Sequence, residues 1–204
     1  HLLPCNGTEY YIPNPDSPGN FIEIHKNSMW QKLGFEKFNM MMGHLMILQG
    51  KVAEEDYDIP FTGHHIQNRG SMINWSPIGR NANNGERKQF IAMDKIYGIR
   101  NRFLYEFREG MLRKELDGIT IKLGGDTSFD IYPEGWDKTY ALKHFPDTNW
   151  DVFFVGDRCS PNGNDFEIFN ALNQKGRSFE TGSPDETIEI IEIYLRKLIG
   201  ELNV

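Results

Sequence analysis

The sequence predicts an α/β fold, and three observations carry the prediction. Residues 119–123 form an apolar run that ends at two glycines, after which residues 128–133 alternate between polar and apolar as a strand does. Residues 152–155 are continuously apolar and end at a Gly-Asp turn, which is typical of a strand at the buried centre of a parallel sheet. In residues 28–48 and 99–112, apolar positions recur at helical spacing.

Composition is that of an ordinary globular chain with room for one large domain or two small ones. The chain has 204 residues, of which 25% are charged and 39% apolar. Its net charge of −7 argues against a nucleic-acid partner, because phosphate contacts need a basic face, yet a local basic pocket for a small phosphorylated ligand stays open. No run approaches the roughly 18 apolar residues of a membrane helix, so we expect no membrane partner.

The cysteines indicate the cellular compartment, and the first residues indicate whether the sequence starts at the natural amino terminus. Cys5 and Cys159 lie far apart with no Cys-x-x-Cys motif, which favours a reducing compartment over a disulfide framework. The triplets that begin at Asn6 and Asn74 fit the N-glycosylation pattern, but a pattern so short often matches by chance. The sequence begins with His1 and shows no features of a signal peptide, and we expect the natural start of the protein to lie upstream.

Residues 124–138 are the stretch around which the rest of the chain is best interpreted. Ser128 and Asp130 fall on one face of the predicted strand and apolar residues on the other, which predicts a half-buried strand. A polar turn after Pro133 then leads to Lys138. A strand that presents a hydroxyl and a carboxylate before a lysine can connect a binding surface to a reaction centre.

The methionine cluster formed by residues 40–42 and Met46 has two interpretations. It could line a flexible surface for a cofactor or a partner. Core or subunit-interface packing is favoured, because methionine commonly fills irregular gaps. The Asp56-Tyr57-Asp58 triplet follows no apolar strand and precedes no Gly-Thr pair, so it is interpreted as a solvated loop and not as a catalytic Asp-x-Asp pair.

The last helix has a clear predicted start. Ser183 can cap it, Pro184 suits the first helical position and Glu186 the third. The sequence predicts one apolar stripe along this helix, formed by Ile188, Ile191, Leu195 and Leu198.

A pair of carboxylates follows the predicted buried strand. Asp157 comes directly after it, and Asn164-Asp165 follows a short loop. Carboxylates at the carboxyl end of a parallel strand stand where α/β sheets bind ligands, and Mg²⁺ takes one or two carboxylates together with water and phosphate. An ordinary Asx turn with a helix cap explains the spacing equally well.

Three arginines and one lysine complete the candidates. Arg69, Arg80 and Arg87 carry planar forks that suit bidentate phosphate recognition, and Lys138 could neutralise charge on a transferring phosphoryl group. Composition alone favours solvated side chains for all four, since any protein surface carries such residues.

Four blocks of sequence stand out together. They are residues 76–80 (Ser-Pro-Ile-Gly-Arg), 86–87 (Glu-Arg), 124–138 and 154–169. In this order they resemble the eukaryotic-type phosphomannomutase family of the haloacid-dehalogenase superfamily. The resemblance runs from about Pro4 to Thr187, and the block at 124–138 is by far its most specific part.

The resemblance implies a Rossmann-like haloacid-dehalogenase core, present in part, and an inserted α/β cap whose antiparallel sheet closes over the substrate. It places core segments at residues 1–26 and 132–204 and the cap at 27–131. It implies a cytoplasmic isomerase that interconverts mannose 6-phosphate and mannose 1-phosphate through a hexose bisphosphate and a phosphoaspartate. Mg²⁺ as cofactor, hexose 1,6-bisphosphate as activator and a homodimer through the cap follow from the same resemblance.

Carried over position by position, the resemblance also implies roles for the substrate-binding residues. Arg69, Arg80 and Arg87 would grip the phosphate remote from the reaction. Ser128 and Asp130 would bind that phosphate and the sugar hydroxyls.

At the reacting end, the resemblance implies three further roles. Lys138 would sit beside the transferring phosphoryl group, Asp157 would ligate Mg²⁺, and Asp165 would support the metal from behind that ligand. The arrangement suits a mutase, which needs one reactive and one non-reactive phosphate site because it binds either end of a phosphorylated hexose.

The sequence departs from the family at three places. It contains no Asp-x-Asp-Gly-Thr motif, which supplies the family's nucleophile and general acid, and we expect that motif upstream of His1. Position 171 is alanine, so we predict no accessory cation site there, and residues 16–63 match loosely. Two other functions therefore stay open: a sugar-phosphate phosphatase of the same superfamily, and a non-catalytic phosphosugar-binding module. The sequence leaves the choice between mannose and glucose phosphates undecided as well.

Overall fold

The structure is a computed structural model, and it describes residues 1–55, 57–113, 116–146 and 149–196. Its strands are β1 (Glu9–Pro13), β2 (Phe21–Lys26), β3 (Ile66–Asn68), β4 (Ile73–Trp75), β5 (Ile119–Gly124), β6 (Ser128–Pro133), β7 (Phe154–Gly156) and β8 (Ser178–Glu180). Its α-helices are α1 (Met29–Leu33), α2 (Phe35–Ala53), α3 (Asn84–Tyr97), α4 (Ile99–Arg113), α5 (Phe166–Asn173) and α6 (Pro184–Glu189). Within these residues, no helix has the length and apolar character that a membrane span needs. The α/β class predicted from the sequence is confirmed.

The main sheet is antiparallel and has the strand order β3-β4-β6-β5. A hairpin turns at Arg69, where β3 pairs with β4 and the Arg69 N–H donates across the turn to the Met72 carbonyl. The register sets Asn74 of β4 and Lys122 of β5 on either side of Asp130 in β6. Because directly paired residues point to the same side of a sheet, one face of the sheet is polar along a line across three strands.

The opposite face of the sheet packs against helices and is aromatic. Trp75 and Phe129 stack with ring centroids 4.7 Å apart, and Phe103 of α4 meets Trp75 edge-on at 5.9 Å. All three side chains are fully buried. Burial of side chains of this size stabilises a fold by about 2–3 kcal/mol each, so this layer holds the sheet and α4 together.

Strand β6 is buried on both faces, so the prediction of a half-buried strand is wrong. Ser128 and Asp130 are each only 8% exposed. The reason is that the loop before α5 crosses the polar face: Asn164 donates to Asp130 at 3.1 Å, and Leu123 forms a β-bridge with Gly163. Alternation in the sequence locates the polar face but does not show that another segment covers it.

Helices α1 and α2 are separated by Gly34, whose φ of +79° interrupts the helix. After this break, Met41 is fully buried in the core, whereas Met40 and Met46 are 39% and 61% exposed. The favoured core interpretation of the methionine cluster is therefore confirmed for Met41, and Met40 and Met46 face solvent in this chain.

Strands β1 and β2 form an antiparallel pair, and β7 and β8 form a separate parallel sheet. This parallel sheet confirms a parallel strand at this place, but β7 covers only Phe154–Gly156 and is half-buried. The predicted fully buried strand at residues 152–155 is wrong because, within the part of the chain that the structure describes, β7 has a strand neighbour on one side alone. Helix α5 packs across the pair, and a 3-10 helix at Lys138–His144 lies against α5.

The final helix begins as predicted and then differs. The Ser183 hydroxyl accepts the Glu186 N–H and Pro184 is the first helical residue. Ile190 is the buried side chain, whereas Ile188 and Ile191 are 59% and 43% exposed, so the predicted apolar stripe is wrong. Ile188 precedes a π-helical turn at Ile190–Leu195, and this turn takes the later side chains, Ile191 included, away from 3.6-residue spacing. Two residues named above, Asp56 and Leu198, lie outside the described residues.

Candidate functional site

The centre of the candidate site is the polar face of β4 and β6. Asn74 is 3% exposed, and its amide nitrogen lies 2.9 Å from Asp130 Oδ1 and 3.1 Å from Ser128 Oγ. Ser128 in turn donates its hydroxyl to the Gly124 carbonyl at 2.7 Å. Asn164 approaches the other carboxylate oxygen of Asp130. The Asp130 carboxylate is thus fixed by amides from two sides, and no lysine or arginine is paired with it among the described residues.

Three arginines surround this polar face. Arg69 lies in the turn between β3 and β4, Arg80 in the turn after β4, and Arg87 in the first turn of α3. Partial burial, followed by the positive charges of Arg69 and Arg87, lowers the pKa of Arg80, although it stays a cation at neutral pH. Three like charges brought this close need a counter-ion, and an anion with several oxygens suits them.

Arg87 also supports the loop beside it. It donates from Nε to the Ala82 carbonyl at 2.9 Å and from Nη2 to the Arg80 carbonyl at 3.0 Å. Its Nη1 lies 3.3 Å from Thr127 Oγ1. Arg87 therefore fixes the backbone of Arg80 against the β5–β6 turn, while its charge adds to the field of the cluster.

Lys138 and Asp165 form a pair on the other side of the site. Lys138 is the first residue of the 3-10 helix, after the Asp137 cap, and its ammonium group donates to Asp165 Oδ1. Asp165 Oδ2 accepts the backbone N–H groups of Asp157 and Arg158 at 3.2 and 3.0 Å. A carboxylate that is 2% exposed is stable here because both of its oxygens are satisfied.

One cavity of about 430 Å³ joins the two sides. It is lined by Arg69 and Asp130 from the sheet side. Lys138 of the 3-10 helix and Asn164 of the loop before α5 also line it. Its remaining walls are mostly apolar and come from Leu3, Cys5, Asn6, Met72, Ala141, Phe154 and Ile168. A cavity of this size, lined by the cations Arg69 and Lys138 and by hydrogen-bonding groups, can hold a small polar ligand.

Asp157 does not line this cavity, and neither do Arg80, Arg87, Ser128 and Asp165. The Asp157 side chain is 65% exposed and lines a neighbouring cavity beside Ser183 and Thr187, not the 430 Å³ cavity. It is connected to Lys138 through Asp165. The structure thus brings Arg69, Asp130 and Lys138 to one cavity, whereas Asp157 lies beyond Asp165.

Asp157 is the carboxylate that could ligate Mg²⁺ beside this site. The Asp157 carboxylate faces solvent, and its nearest ion-pair partner, Arg158 Nε, lies 3.6 Å away. No group of three or more His, Cys, Asp or Glu side chains within the described ranges could hold a metal by itself. One accessible carboxylate fits Mg²⁺, which keeps several waters and takes further oxygens from phosphate, and it does not fit a cation that needs a complete protein cage.

The sheet and the loop at residues 157–165 are also joined by ion pairs. Lys122 of β5 meets Glu167 of α5 at 2.6 Å, and Arg158 pairs with Asp126 in the β5–β6 turn. Because both pairs lie beside the contact between Asn164 and Asp130, they hold the polar face of the sheet closed against this loop.

Sequence reasoning missed the part played by Asn74. The triplet Asn74-Trp75-Ser76 matches a glycosylation pattern, but the buried amide of Asn74 is fully engaged in hydrogen bonds and is closed to a glycosyltransferase. The contact between Asn74 and Asp130 could have been predicted from the register of β4 against β6, which sets these two residues opposite each other. Asn6, in the other triplet, donates its amide to the Trp136 carbonyl and lines the cavity.

Both cysteines are free thiols, and we expect slow alkylation at neutral pH. Burial raises the pKa of Cys5 and raises the pKa of Cys159 to about 11, so both stay protonated at pH 7. Iodoacetamide labelling, followed by peptide mass spectrometry, should therefore accelerate about tenfold per pH unit between pH 7 and 9, with Cys5 ahead of the more buried Cys159. Glutathione under the same conditions is the control, and a Cys159 rate equal to that of glutathione at pH 7 would contradict the burial argument.

The fold and the site define an α/β protein with a cationic, hydrogen-bonding cavity. The family model described as eukaryotic phosphomannomutase matches residues 19–197. The chain belongs to the eukaryotic phosphomannomutase family.

Curated relatives agree with this assignment. The chain is 37% identical to a phosphomannomutase of Saccharomyces cerevisiae over 173 residues, which cover 83% of this chain and 63% of the relative. It is 40% identical to a phosphomannomutase of Spinacia oleracea over 176 residues, with 86% and 67% covered, and 41% identical to that of Arabidopsis thaliana over 134 residues, with 65% and 52% covered. The chain thus spans between 52% and 67% of the length of these relatives.

Solved structures give a weaker match. The N-terminally truncated, IMP-bound IMP-nucleotidase of Plasmodium falciparum aligns with a TM-score of 0.47 and 12% identity, over 89% of this chain and 44% of that one. At this level the similarity supports no argument about fold or function.

Proposed function

We propose that the chain carries the substrate-binding part of a Mg²⁺-dependent phosphomannomutase, which interconverts mannose 6-phosphate and mannose 1-phosphate. One observation carries the proposal: a single cavity is lined by the cations Arg69 and Lys138 together with the polar groups of Asp130 and Asn164. A mutase needs two anion sites at opposite ends of one sugar, since it must accept the phosphate at either end. Membership of the phosphomannomutase family supports the choice of substrate.

The remote phosphate would bind at the arginine cluster. Arg69 and Arg80 would donate to its oxygens, and Arg87 would add charge while holding the Arg80 backbone. Ser128 and Asp130 would contact the same phosphate and the sugar hydroxyls from the polar face of β6. In the structure their hydrogen bonds already orient them, so binding would cost little reorganisation.

The transferring phosphoryl group would lie near Lys138. Its ammonium group, held by Asp165, would neutralise charge on that group. Mg²⁺ bound by Asp157 would supply further neutralisation, and Asp165 would keep the loop of that ligand in place through its two backbone hydrogen bonds. Hexose 1,6-bisphosphate as activator would supply the phosphoryl group for an aspartate in an Asp-x-Asp-Gly-Thr motif, which the sequence as printed does not contain.

An isomerisation assay separates the mutase from a phosphatase of the same superfamily. The natural full-length protein is incubated with mannose 1-phosphate, Mg²⁺ and hexose 1,6-bisphosphate, and the products are followed by ³¹P NMR. Mannose 6-phosphate is the expected product. Free phosphate without isomerised sugar would overturn the mutase proposal in favour of the phosphatase.

A phosphosugar-binding module without catalysis is the second candidate. The absence of an Asp-x-Asp-Gly-Thr motif from these 204 residues favours it for the chain alone. Calorimetric binding of mannose 1-phosphate, together with no product in the assay above, would identify this function.

Replacing Arg80 with alanine should weaken binding of hexose phosphate by roughly 10- to 100-fold, because hydrogen bonds to charged groups contribute about 1.5–3 kcal/mol. The readout is the Kd of mannose 1-phosphate by calorimetry. Arg113→Ala is the matched control, because Arg113 is an exposed arginine in the last turn of α4. Unchanged affinity in Arg80→Ala would contradict the assignment of the arginine cluster to the remote phosphate.

Three further properties remain predictions. They are a Rossmann-like haloacid-dehalogenase core at residues 1–26 and 132–204, a cap at 27–131 that forms the homodimer, and a cytoplasmic location. Analytical ultracentrifugation of the natural protein measures whether it is a homodimer.

A further inference from the structure

Asn74 connects the two charged groups on the polar face of the sheet. Its Oδ1 accepts from Arg80 Nη1 at 2.8 Å. Its Nδ2 donates to Asp130 Oδ1 at 2.9 Å and approaches Ser128 Oγ at 3.1 Å. The side chain is buried at 3% exposure, so water is a poor substitute for these contacts.

A neutral amide suits this position because it has an acceptor at one end and a donor at the other. Arg80 and Asp130 are close enough for their charges to interact. Without a spacer, the guanidinium would turn to the carboxylate, because a fork-to-carboxylate pair is the strongest contact available to both. Such a pair would use the same N–H groups that a phosphate needs.

The remaining contacts of Arg80 agree with a group held ready for a ligand. Among the described residues, its guanidinium donates one side-chain hydrogen bond, from Nη1 to Asn74. Its backbone carbonyl is held by Arg87 Nη2 at 3.0 Å. Arg80 is therefore fixed at its backbone and at one nitrogen of its fork, while the rest of the fork stays open.

We infer that Asn74 is a positioning residue, which holds Arg80 and Asp130 apart so that the guanidinium binds an anionic ligand and the carboxylate stays directed at the cavity. The inference rests on the proposed phosphosugar site and adds a residue to it. Asn74 acts through Arg80, so its effect on anion binding should depend on the presence of Arg80.

A double-mutant cycle tests that dependence. The Kd values of inorganic phosphate and of mannose 1-phosphate are measured by NMR titration of the 204-residue chain. Asn74→Ala should weaken binding of both by at least about tenfold when Arg80 is present. In an Arg80→Ala background the same substitution should change the Kd of inorganic phosphate by less than about twofold, because the guanidinium that Asn74 positions is gone.

A second substitution at Asn74 keeps the test decisive if alanine loosens the sheet. Asn74→Asp has nearly the same shape but offers a carboxylate to Arg80 and repels Asp130, so it should weaken anion binding at least as much as alanine does.

Gln49→Leu is the matched control. Gln49 is also an amide bonded to β4, where it accepts from Trp75 Nε1 at 2.7 Å on the helix side of the sheet, so its loss should affect stability and not anion binding.

The outcomes separate this inference from the proposed function. Equal losses of affinity in both Arg80 backgrounds would mean that Asn74 supports the strand generally, and would overturn the inference. Failure of the wild-type chain to bind either anion would overturn it too. If mannose 1-phosphate binds no more tightly than inorganic phosphate, the sugar proposal fails, whereas the cycle measured with inorganic phosphate still decides the part played by Asn74.

Discussion

Asp165→Ala is expected to lower the free energy of unfolding by about 3–5 kcal/mol, because it breaks an ion pair and orphans two backbone donors at once. The Asp165 side chain is 2% exposed. It accepts the Lys138 ammonium group on one oxygen and the N–H groups of Asp157 and Arg158 on the other. Urea denaturation at neutral pH, followed by circular dichroism, measures the change. The loop that carries Asp157 should lose its fixed position, so Mg²⁺-dependent activity of the natural protein should fall as well.

Two further variants control this result. Asp165→Asn keeps the shape and one acceptor oxygen, so it should cost less than alanine does, since that oxygen can still accept both backbone N–H groups. Asp16→Ala removes an exposed carboxylate in the loop between β1 and β2, and surface substitutions of this kind change stability by no more than about 0.5 kcal/mol. A loss below about 1 kcal/mol for Asp165→Ala would show that solvent satisfies the orphaned groups and that Asp165 does not organise the loop.

Helix starts were predictable from the sequence because their signals are local. Asn83 and Glu86 form the capping box that begins α3, and Ser183 and Pro184 begin α6. Such signals involve residues within four positions of each other, so no tertiary information is needed to interpret them. Strands β5 and β6 were equally clear, since they alternate about a tight turn.

The composition of the site was only partly predictable. The family resemblance supplied Arg69, Asp130 and Lys138, which the structure brings to one cavity. Asn74 was missed because its partners are Arg80 and Asp130, and only strand register reveals such a contact between distant parts of the chain. Spacing along the chain carries no information about which strands are paired.

Burial was the least predictable property. Alternation in β6 marks which side chains share a face, but the covering loop that carries Asn164 lies more than thirty positions further along the chain. In the final helix, Ile190 is the buried side chain, and a π-helical turn that begins there changes the period for the residues that follow. Periodicity assumes a regular element, and it fails where the element is irregular.

Gly124→Ala should disrupt the site as strongly as removal of a binding residue. A methyl group on Gly124 would lie 2.7 Å from Asp130 Cγ and within 2.9 Å of both carboxylate oxygens, closer than unbonded atoms approach. The Asp130 carboxylate would have to leave Asn74 and Asn164, whose hydrogen bonds fix it. We expect affinity for mannose 1-phosphate to fall by at least about tenfold, and the free energy of unfolding by about 1–3 kcal/mol as for other overpacked sites.

The matched control is Gly43→Ala. Gly43 lies inside α2 with nothing within 4 Å of the added methyl group, so this change should raise stability by about 0.5–1 kcal/mol and leave binding unchanged. In an Asp130→Ala background the clash is absent, and Gly124→Ala should then cost little stability. If Gly124→Ala destabilises the chain equally in both backgrounds, its cost comes from the β5–β6 hairpin and not from the carboxylate. If instead Gly124→Ala costs no stability in the Asp130→Ala background, the glycine is required because of the carboxylate. The Asp130 carboxylate must then lie against the backbone of β5, where it is held for a ligand.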